Sequence, residues 1–239
     1  MSGFTDIHSH FIYGVDDGAR TREDMEAMLD AAHADGISDL YATPHIALGI
    51  RRFQHELFRR HFQEAEVYCR QRGYGMRLHA GAELLYTPAM QPYIVERKLP
   101  SLGDSNHVLV EFTPDISYLE LEAAVGLMER AGYIPVLAHI ERYGCFFHGK
   151  KPWRLKERHE VRYQVNADSA LERRALFRGG LIKRWFQEEL IDFVASDAHD
   201  CEGRPFRMRA AYDALAHRYG QERAARLAGA EKTCSIFGG

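Results

Sequence analysis

Two periods alternate along this chain. Short runs dominated by apolar residues mark strands covered on both faces, and between them hydrophobic residues recur every three or four positions, marking amphipathic helices. The first run is Thr5-Asp6-Ile7-His8-Ser9-His10. Thr21 then precedes Arg22-Glu23-Asp24, with Met25, Met28, Leu29 and Ala32 following at helical spacing up to Gly36, so a capped helix with acid at its positive end is predicted. Ile37 to Thr43 reads as the second strand, and residues 51–72 as a long helix whose arginines form a solvated face. A third strand runs from Gly75 to Glu83, a helix covers Pro88 to Arg97, and His107 to Phe112 is a largely apolar fourth strand. Tyr118 to Arg130 is an amphipathic helix closed by Gly132, and Tyr133 to His139 is the fifth strand. Residues 144–158 mix Cys145, two phenylalanines, His148 and Trp153 with many basic residues, and read as a loop or lid. Val161 to Val165 is the sixth strand, helices cover Ser169 to Leu190 with a break at Gly179-Gly180, and Ile191 to Ser196 is the last strand. A final helix, Arg207 to Tyr219, leaves a short tail.

Seven strands alternating with helices predict an α/β fold whose parallel sheet closes into a barrel. With 239 residues and no linker, charge block or repeat, one domain over 1–239 is expected.

The polar residues at the strand ends change the picture. His8 and His10 end the first strand, His45 follows the second, Glu83 ends the third, Glu111 the fourth, His139 the fifth, and Asp197 with His199 the seventh. Asp16 and Asp17 follow the first strand and close on Gly18. In a parallel barrel the C-terminal strand ends share one rim, so these residues converge. Eight nitrogen or oxygen ligands plus a carboxylate from Asp16 or Asp17 are too many for one ion, and carboxylates so crowded would repel without cations. Two or three metal ions resolve this.

Charge and cysteine content narrow the function. A net charge of −3, from 31 basic and 34 acidic residues, argues against a dedicated nucleic-acid binder or a protein seeking anionic membranes. Cys69, Cys145, Cys201 and Cys234 lie far apart with no C-x-x-C, as in a reduced cytoplasmic protein. No basic-then-apolar leader precedes the first strand and no apolar run approaches membrane-spanning length, so a cytoplasmic protein without membrane insertion is expected.

Asp6-Ile7-His8-Ser9-His10, Asp16-Asp17-Gly18, Thr43-Pro44-His45, Gly81-Ala82-Glu83, Val110-Glu111-Phe112, Ala138-His139-Ile140-Glu141-Arg142-Tyr143 and Ser196-Asp197-Ala198-His199 resemble, in order and spacing, the polymerase-and-histidinol-phosphatase (PHP) superfamily. Within it they look most like the bacterial manganese-dependent protein-tyrosine phosphatases of capsule and exopolysaccharide operons. Gln164-Val165-Asn166-Ala167 and Ala195-Ser196-Asp197 extend the resemblance over almost the whole chain. It implies a distorted (β/α)7 barrel with a trinuclear centre loaded with manganese, iron and zinc being the alternatives. Carried over, it makes His8, His10, Glu83 and Asp197 ligands of one ion, with Glu83 bridging to a second held by Glu111 and His139. His45, His199 and Asp17 hold the third, Asp17 being favoured over Asp16. Two departures concern the substrate rim: Ile140 stands where the family often has Pro, and the second loop reads Ile46-Ala47-Leu48-Gly49-Ile50-Arg51 where another His with Asn or Gly is usual.

A phosphomonoester is a dianion, and divalent ions neutralise it and lower the pKa of bound water, supplying metal-bound hydroxide for in-line attack. Arg142, three residues past His139, and Arg204, five past His199, are placed to fork onto phosphate oxygens as catalytic and substrate-binding groups, the plain alternative being surface salt bridges. Cys201 to Arg207 has the C-x5-R spacing of cysteine-dependent tyrosine phosphatases, but Pro205 removes an N–H donor and Phe206 is bulky, so the spacing reads as accidental. The expected function is metal-dependent hydrolysis of phosphotyrosine in a protein, such as the tail of a tyrosine kinase regulating polysaccharide synthesis. Other readings keep the metals but take a small phosphate ester such as histidinol phosphate, or a nucleic-acid phosphodiester, or keep the barrel as a binding module without turnover.

Overall fold

The computed structural model describes residues 3–171 and 179–230. Its nine strand segments are β1 (Phe4–Ser9), β2 (Ile37–Ala42), β3 (His45–Ile46), β4 (Arg77–Ala80), β5 (Glu83–Leu85), β6 (His107–Glu111), β7 (Ile134–Leu137), β8 (Arg162–Asn166) and β9 (Phe193–Ala195). The helices are α1 (Arg22–Ala34), α2 (His55–Gln71), α3 (Gln91–Val95), α4 (Tyr118–Arg130), α5 (Lys151–Arg158), α6 (Ala167–Ala170), α7 (Gly179–Gln187), α8 (Met208–Tyr219) and α9 (Gln221–Leu227).

Every strand pairing is parallel, in the orders β1-β2-β4 and β3-β5-β6-β7-β8-β9. The sheet curls until its first and last strands meet. Asp197 N donates to His8 O at 2.9 Å, His10 N donates to Ala198 O at 2.8 Å, and Ser9 pairs with Ala198. Side chains on successive residues sort to the two faces of this wall. Leu109, Val136, Tyr41 and Ala195 join an inner cluster with Ile7, while their neighbours Val108, Val110, Leu137, Leu40 and Val194 join the larger cluster beneath the helices.

The second and third strands depart from their expected form. Each is broken, at Thr43-Pro44 and at Gly81-Ala82, and the breaks lie level, since Ala42 pairs with Ala80 before them and His45 with Glu83 after them. Pro44 has no N–H for the ladder. At Gly81 a Cβ would lie 2.9 Å from a Leu102 methyl, so a larger residue would displace that side chain. The two breaks therefore set His45 and Glu83 side by side.

Helix α1 is capped as expected: Thr21 Oγ1 accepts from Asp24 N, and the Asp24 carboxylate accepts from Thr21 N. Met25, Met28, Leu29 and Ala32 are buried along its inner stripe. Ser117 and Glu120 form the same box on α4. The predicted loop at 144–158 instead contains a 3₁₀ turn, Gly144–Phe146, and the helix α5, whose Leu155 is buried. The helix expected from residue 51 begins only at His55, and the expected tail contains α9. Of the helical stretch expected over 169–190, residues 172–178 lie outside the described residues, which leaves the expected break at Gly179-Gly180 at their edge; α7 is described from Gly179 onward.

Candidate metal centre

All nine expected ligand residues meet at the C-terminal ends of the strands, and Glu83 is the hub. Its Oε2 lies 3.1 Å from His8 Nε2, 3.4 Å from His10 Nε2 and 3.0 Å from His45 Nδ1, and its Oε1 lies 2.8 Å from His139 Nε2. Asp197 Oδ1 stands 3.4 Å from His8 Nε2 and 3.6 Å from His10 Nε2. Glu111 reaches to 3.6 Å from His139 Nε2. Asp17 Oδ1 lies 3.3 Å from His45 Nε2 and 3.5 Å from His199 Nε2.

Burial grades this cluster from floor to rim. His8, His10, Glu83, His139, Asp197 and His199 are buried, His45 and Glu111 are half-buried, and the Asp17 side chain is 67% exposed, which leaves one open side for a ligand to enter. Two of the residues hold left-handed backbone, His139 at φ 33° and Asp197 at φ 55°. Neither is glycine, so surrounding structure must stabilise a conformation that costs on the order of 1–3 kcal/mol, as at sites where side-chain placement dominates.

The donor set fits divalent cations. Buried His8 Nε2, His10 Nε2, Glu83 Oε2, Asp197 Oδ1 and His199 Nε2 face one another yet make no hydrogen bond. Buried polar atoms without hydrogen bonds are costly, and a cation among them satisfies all of them. Among the described residues, ligand atoms lie within 4.8 Å of one another in three groups: His8, His10, Glu83 and Asp197; His10, Asp17, His45 and His199; and His45, Glu83 and Glu111. The first matches the expected set. The second adds His10 to the expected one, and the third has His45 where His139 was expected, His139 staying against Glu83.

Charge follows the geometry. Burial opposes ionisation of Glu83, but His8, His10, His139 and His45 outweigh it and hold its carboxyl well below the usual range. Burial, then the positive charges of His10 and Arg204, push His199 down to about 4, so its imidazole is neutral at physiological pH, the form that ligates a cation.

The sequence left Asp16 and Asp17 as rivals, and the structure separates them. Asp16 is turned inward: its Oδ2 accepts from His10 Nδ1 at 2.7 Å and from His45 N at 3.1 Å, and its Oδ1 accepts from Gly18 N at 3.0 Å. It orients the histidines while Asp17 faces the opening. Gly18 makes the turn possible, since a Cβ there would sit 2.0 Å from His10 O. Gln164 and Asn166 form a second support that sequence reading noticed without giving it a role. Gln164 Oε1 accepts from His139 N at 2.7 Å and lies 3.3 Å from His8 Nδ1; its Nε2 donates to Asn166 Oδ1 at 2.9 Å, and Asn166 Nδ2 donates to Asp197 Oδ2 at 2.8 Å. A glutamine between Tyr163 and Val165 in the middle of the strand was the available signal. Asp6, also missed, ties β1 to β9 by accepting from Ser196 N at 3.0 Å, and burial pushes its carboxyl up to about 6.

Arg142 and Arg204 also come together. Each donates one guanidinium N–H to Asp197 Oδ2 at 2.7 Å, and their side chains are 39% and 41% exposed. Asp197 thus turns one oxygen to the histidines and the other to two arginines on the rim. The Cys201 loop is built differently. The N–H groups of Glu202, Gly203 and Arg204 all donate to Asp200 Oδ1, and Arg207 pairs with Asp168 at 3.1 Å. Partial burial, then the carboxylates of Asp200 and Asp24, push the Cys201 thiol up, away from the reactive thiolate.

A model of the capsular polysaccharide synthesis family CpsB/CapC matches residues 4–235. The chain belongs to this family. The tyrosine-protein phosphatase CpsB of Streptococcus pneumoniae is 30% identical over 229 residues, covering 93% of each chain. The tyrosine-protein phosphatase YwqE of Bacillus subtilis is 28% identical over 91% of this chain and 85% of its own. A crystal structure from the pair YwqE and CpsB, described as unique metal-dependent tyrosine phosphatases, superposes with a TM-score of 0.81 at 28% identity, over 92% of this chain and 89% of that one. An organophosphorus hydrolase variant from Deinococcus radiodurans shares the fold alone, with a TM-score of 0.56 at 14% identity over 99% and 93% of the two chains.

If Asp16 fixes the ring of His10, Asp16→Asn should weaken metal binding or activity by roughly 10- to 100-fold, the usual effect of losing a carboxylate behind a ligating histidine. Titration against a chelating dye measures this. Unchanged affinity and turnover would leave Asp16 as a turn-former only.

Proposed function

We propose that this chain is a metal-dependent protein-tyrosine phosphatase of capsule or exopolysaccharide synthesis. One observation carries the reading: eight His, Asp and Glu side chains from the strand ends and the loops that follow them gather with Glu83, with buried ligand atoms that no hydrogen bond satisfies. We assign His8, His10, Glu83 and Asp197 to one ion, Glu83, Glu111 and His139 to a second, and Asp17, His45 and His199 to a third, manganese being the expected metal. Counting β2 with β3 and β4 with β5 as interrupted strands supports reading the sheet as a distorted (β/α)7 barrel, and a core running from Phe4 to Ala228 supports one domain. No described helix is long and apolar enough to cross a membrane, and Cys69, Cys145 and Cys201 are free thiols, in keeping with a reducing cytoplasm. The partner we propose is the phosphotyrosine tail of a kinase in the same process.

Divalent ions in this site supply charge neutralisation for a phosphate dianion and activation of water near neutral pH. The chain's own residues do the rest. The open edge formed by half-buried His45 and Glu111 and exposed Asp17 admits the phosphoryl group, while the buried floor keeps the donors in place. Arg142 and Arg204, anchored by one N–H each on Asp197, offer the remainder of each fork to the phosphoryl oxygens. Asn166 holds Asp197 against that pull.

The alternative nucleophile is testable in the same preparations. Chelation should abolish hydrolysis of a phosphotyrosine peptide, Mn²⁺ should restore it, and Cys201→Ser should remain active. Loss of activity in Cys201→Ser with metal content unchanged would place the chemistry on the thiol.

A further inference from the structure

We propose that residues 46–60 form a groove for the polypeptide flanking the phosphotyrosine, and that Arg51, Arg52 and Arg60 select flanks rich in Asp and Glu. The proposal rests on the phosphotyrosine reading above and adds to it the chemical class of the substrate. A cavity of about 790 Å³ opens directly from the metal centre, sharing Asp17, His45 and Glu111 with it. Its apolar wall is Ile46, Ile50, Phe53 and Leu85, a surface suited to an aromatic ring once the attached phosphate lies among the ligands. A second cavity of about 600 Å³ shares Arg52, Phe53 and Gln54 with the first and extends to Arg60. Together they trace a path from the rim along the start of α2.

The groove is preformed. Ala47 O accepts from Ile50 N at 3.1 Å and from Arg51 N at 3.0 Å, closing a turn that presents Ile50, Arg51 and Arg52 outward. Gly49 makes the turn at φ 78°, and a Cβ there would lie 2.7 Å from Ala89 O, so the loop rests directly on the neighbouring backbone. Ile50, part of the apolar wall, is 58% exposed and open to contact by a bound chain.

Charge says what covers it. Arg59 pairs with Glu56 and Arg72 with Asp30, the behaviour of a solvated helix face. Arg51, Arg52 and Arg60 are exposed, and among the described residues none of them is in an ion pair. Of the carboxylates that line the same cavities, Asp16, Asp17 and Glu111 belong to the metal centre and Glu56 is paired with Arg59, so these three guanidinium groups are in excess along the rest of the groove and complement an acidic partner.

The test compares two phosphotyrosine peptides that differ only in having Asp and Glu, or Asn and Gln, beside the phosphotyrosine. The metal-loaded protein should show about 10-fold higher kcat/KM on the acidic peptide, since two or three exposed charge pairs each contribute a few-fold. The difference should lie in KM and shrink as salt is raised. Arg51→Glu/Arg52→Glu should invert the preference, a ratio that partial loss of folded protein does not move. Equal kcat/KM on both peptides, or an unchanged ratio in the variant, would overturn the groove while leaving the phosphatase reading intact. Hydrolysis of neither peptide would overturn both.

Discussion

Glu83→Ala is expected to fold, to hold less metal, and to lose roughly 10³-fold or more in kcat/KM on a phosphotyrosine peptide. The magnitude exceeds the usual 10- to 100-fold effect of an indirect support because Glu83 touches the proposed ions themselves. It is fully buried, and its two oxygens reach four imidazoles, those of His8, His10, His45 and His139, at 2.8–3.4 Å. Without the carboxylate the four rings lose the one negative charge they all share, which disfavours bringing cations into the same space. Glu83→Gln keeps the shape and removes the charge, so it separates electrostatics from packing and should lose metal as well. Elemental analysis and steady-state kinetics on the same preparations, with circular dichroism for the fold, measure the effect. Full metal occupancy with near-normal turnover would remove Glu83 from its place as the bridge.

Arg142→Ala should lose about 10²-fold in kcat/KM, comparable with deleting one positioned charge donor at a developing anion. Metal content should be retained, because Asp197 Oδ2 keeps two other donors, Arg204 and Asn166. Arg142→Lys should recover little: an ammonium restores the charge but cannot hold Asp197 and fork onto phosphate at once. If the variant keeps near wild-type kcat/KM, Arg142 is a salt bridge to Asp197 and nothing more. If it loses metal in parallel with activity, its role is to hold Asp197 and the phosphate falls to Arg204 and the ions.

The sequence made much of this molecule legible, for a physical reason. Buried parallel strands and amphipathic helices have strong periods, and a polar residue closing an apolar run stands out against its neighbours, so His8, Glu83, Glu111, His139 and Asp197 were visible one by one. What stayed hidden depends on contacts between distant segments. Nothing local to Thr43-Pro44 or Gly81-Ala82 reveals that the two breaks lie level and pair His45 with Glu83. Two adjacent aspartates are equivalent until the fold turns Asp16 onto His10 and leaves Asp17 exposed. Arg142 and Arg204, 62 positions apart in the chain, gave no sign that both would donate to the same oxygen. Helix α5 was missed because Pro152, Trp153 and a cluster of basic residues obscure its period, although Pro near a helix start is favourable.

The measurement that bears most directly on the central claim is a comparison of substrates on one manganese-loaded preparation: a phosphotyrosine peptide, histidinol phosphate and an oligonucleotide, each with and without chelator. The expected result is chelator-sensitive hydrolysis with kcat/KM highest on the phosphotyrosine peptide. Faster turnover of histidinol phosphate or of the oligonucleotide, or hydrolysis of the peptide that survives complete metal removal, would contradict it.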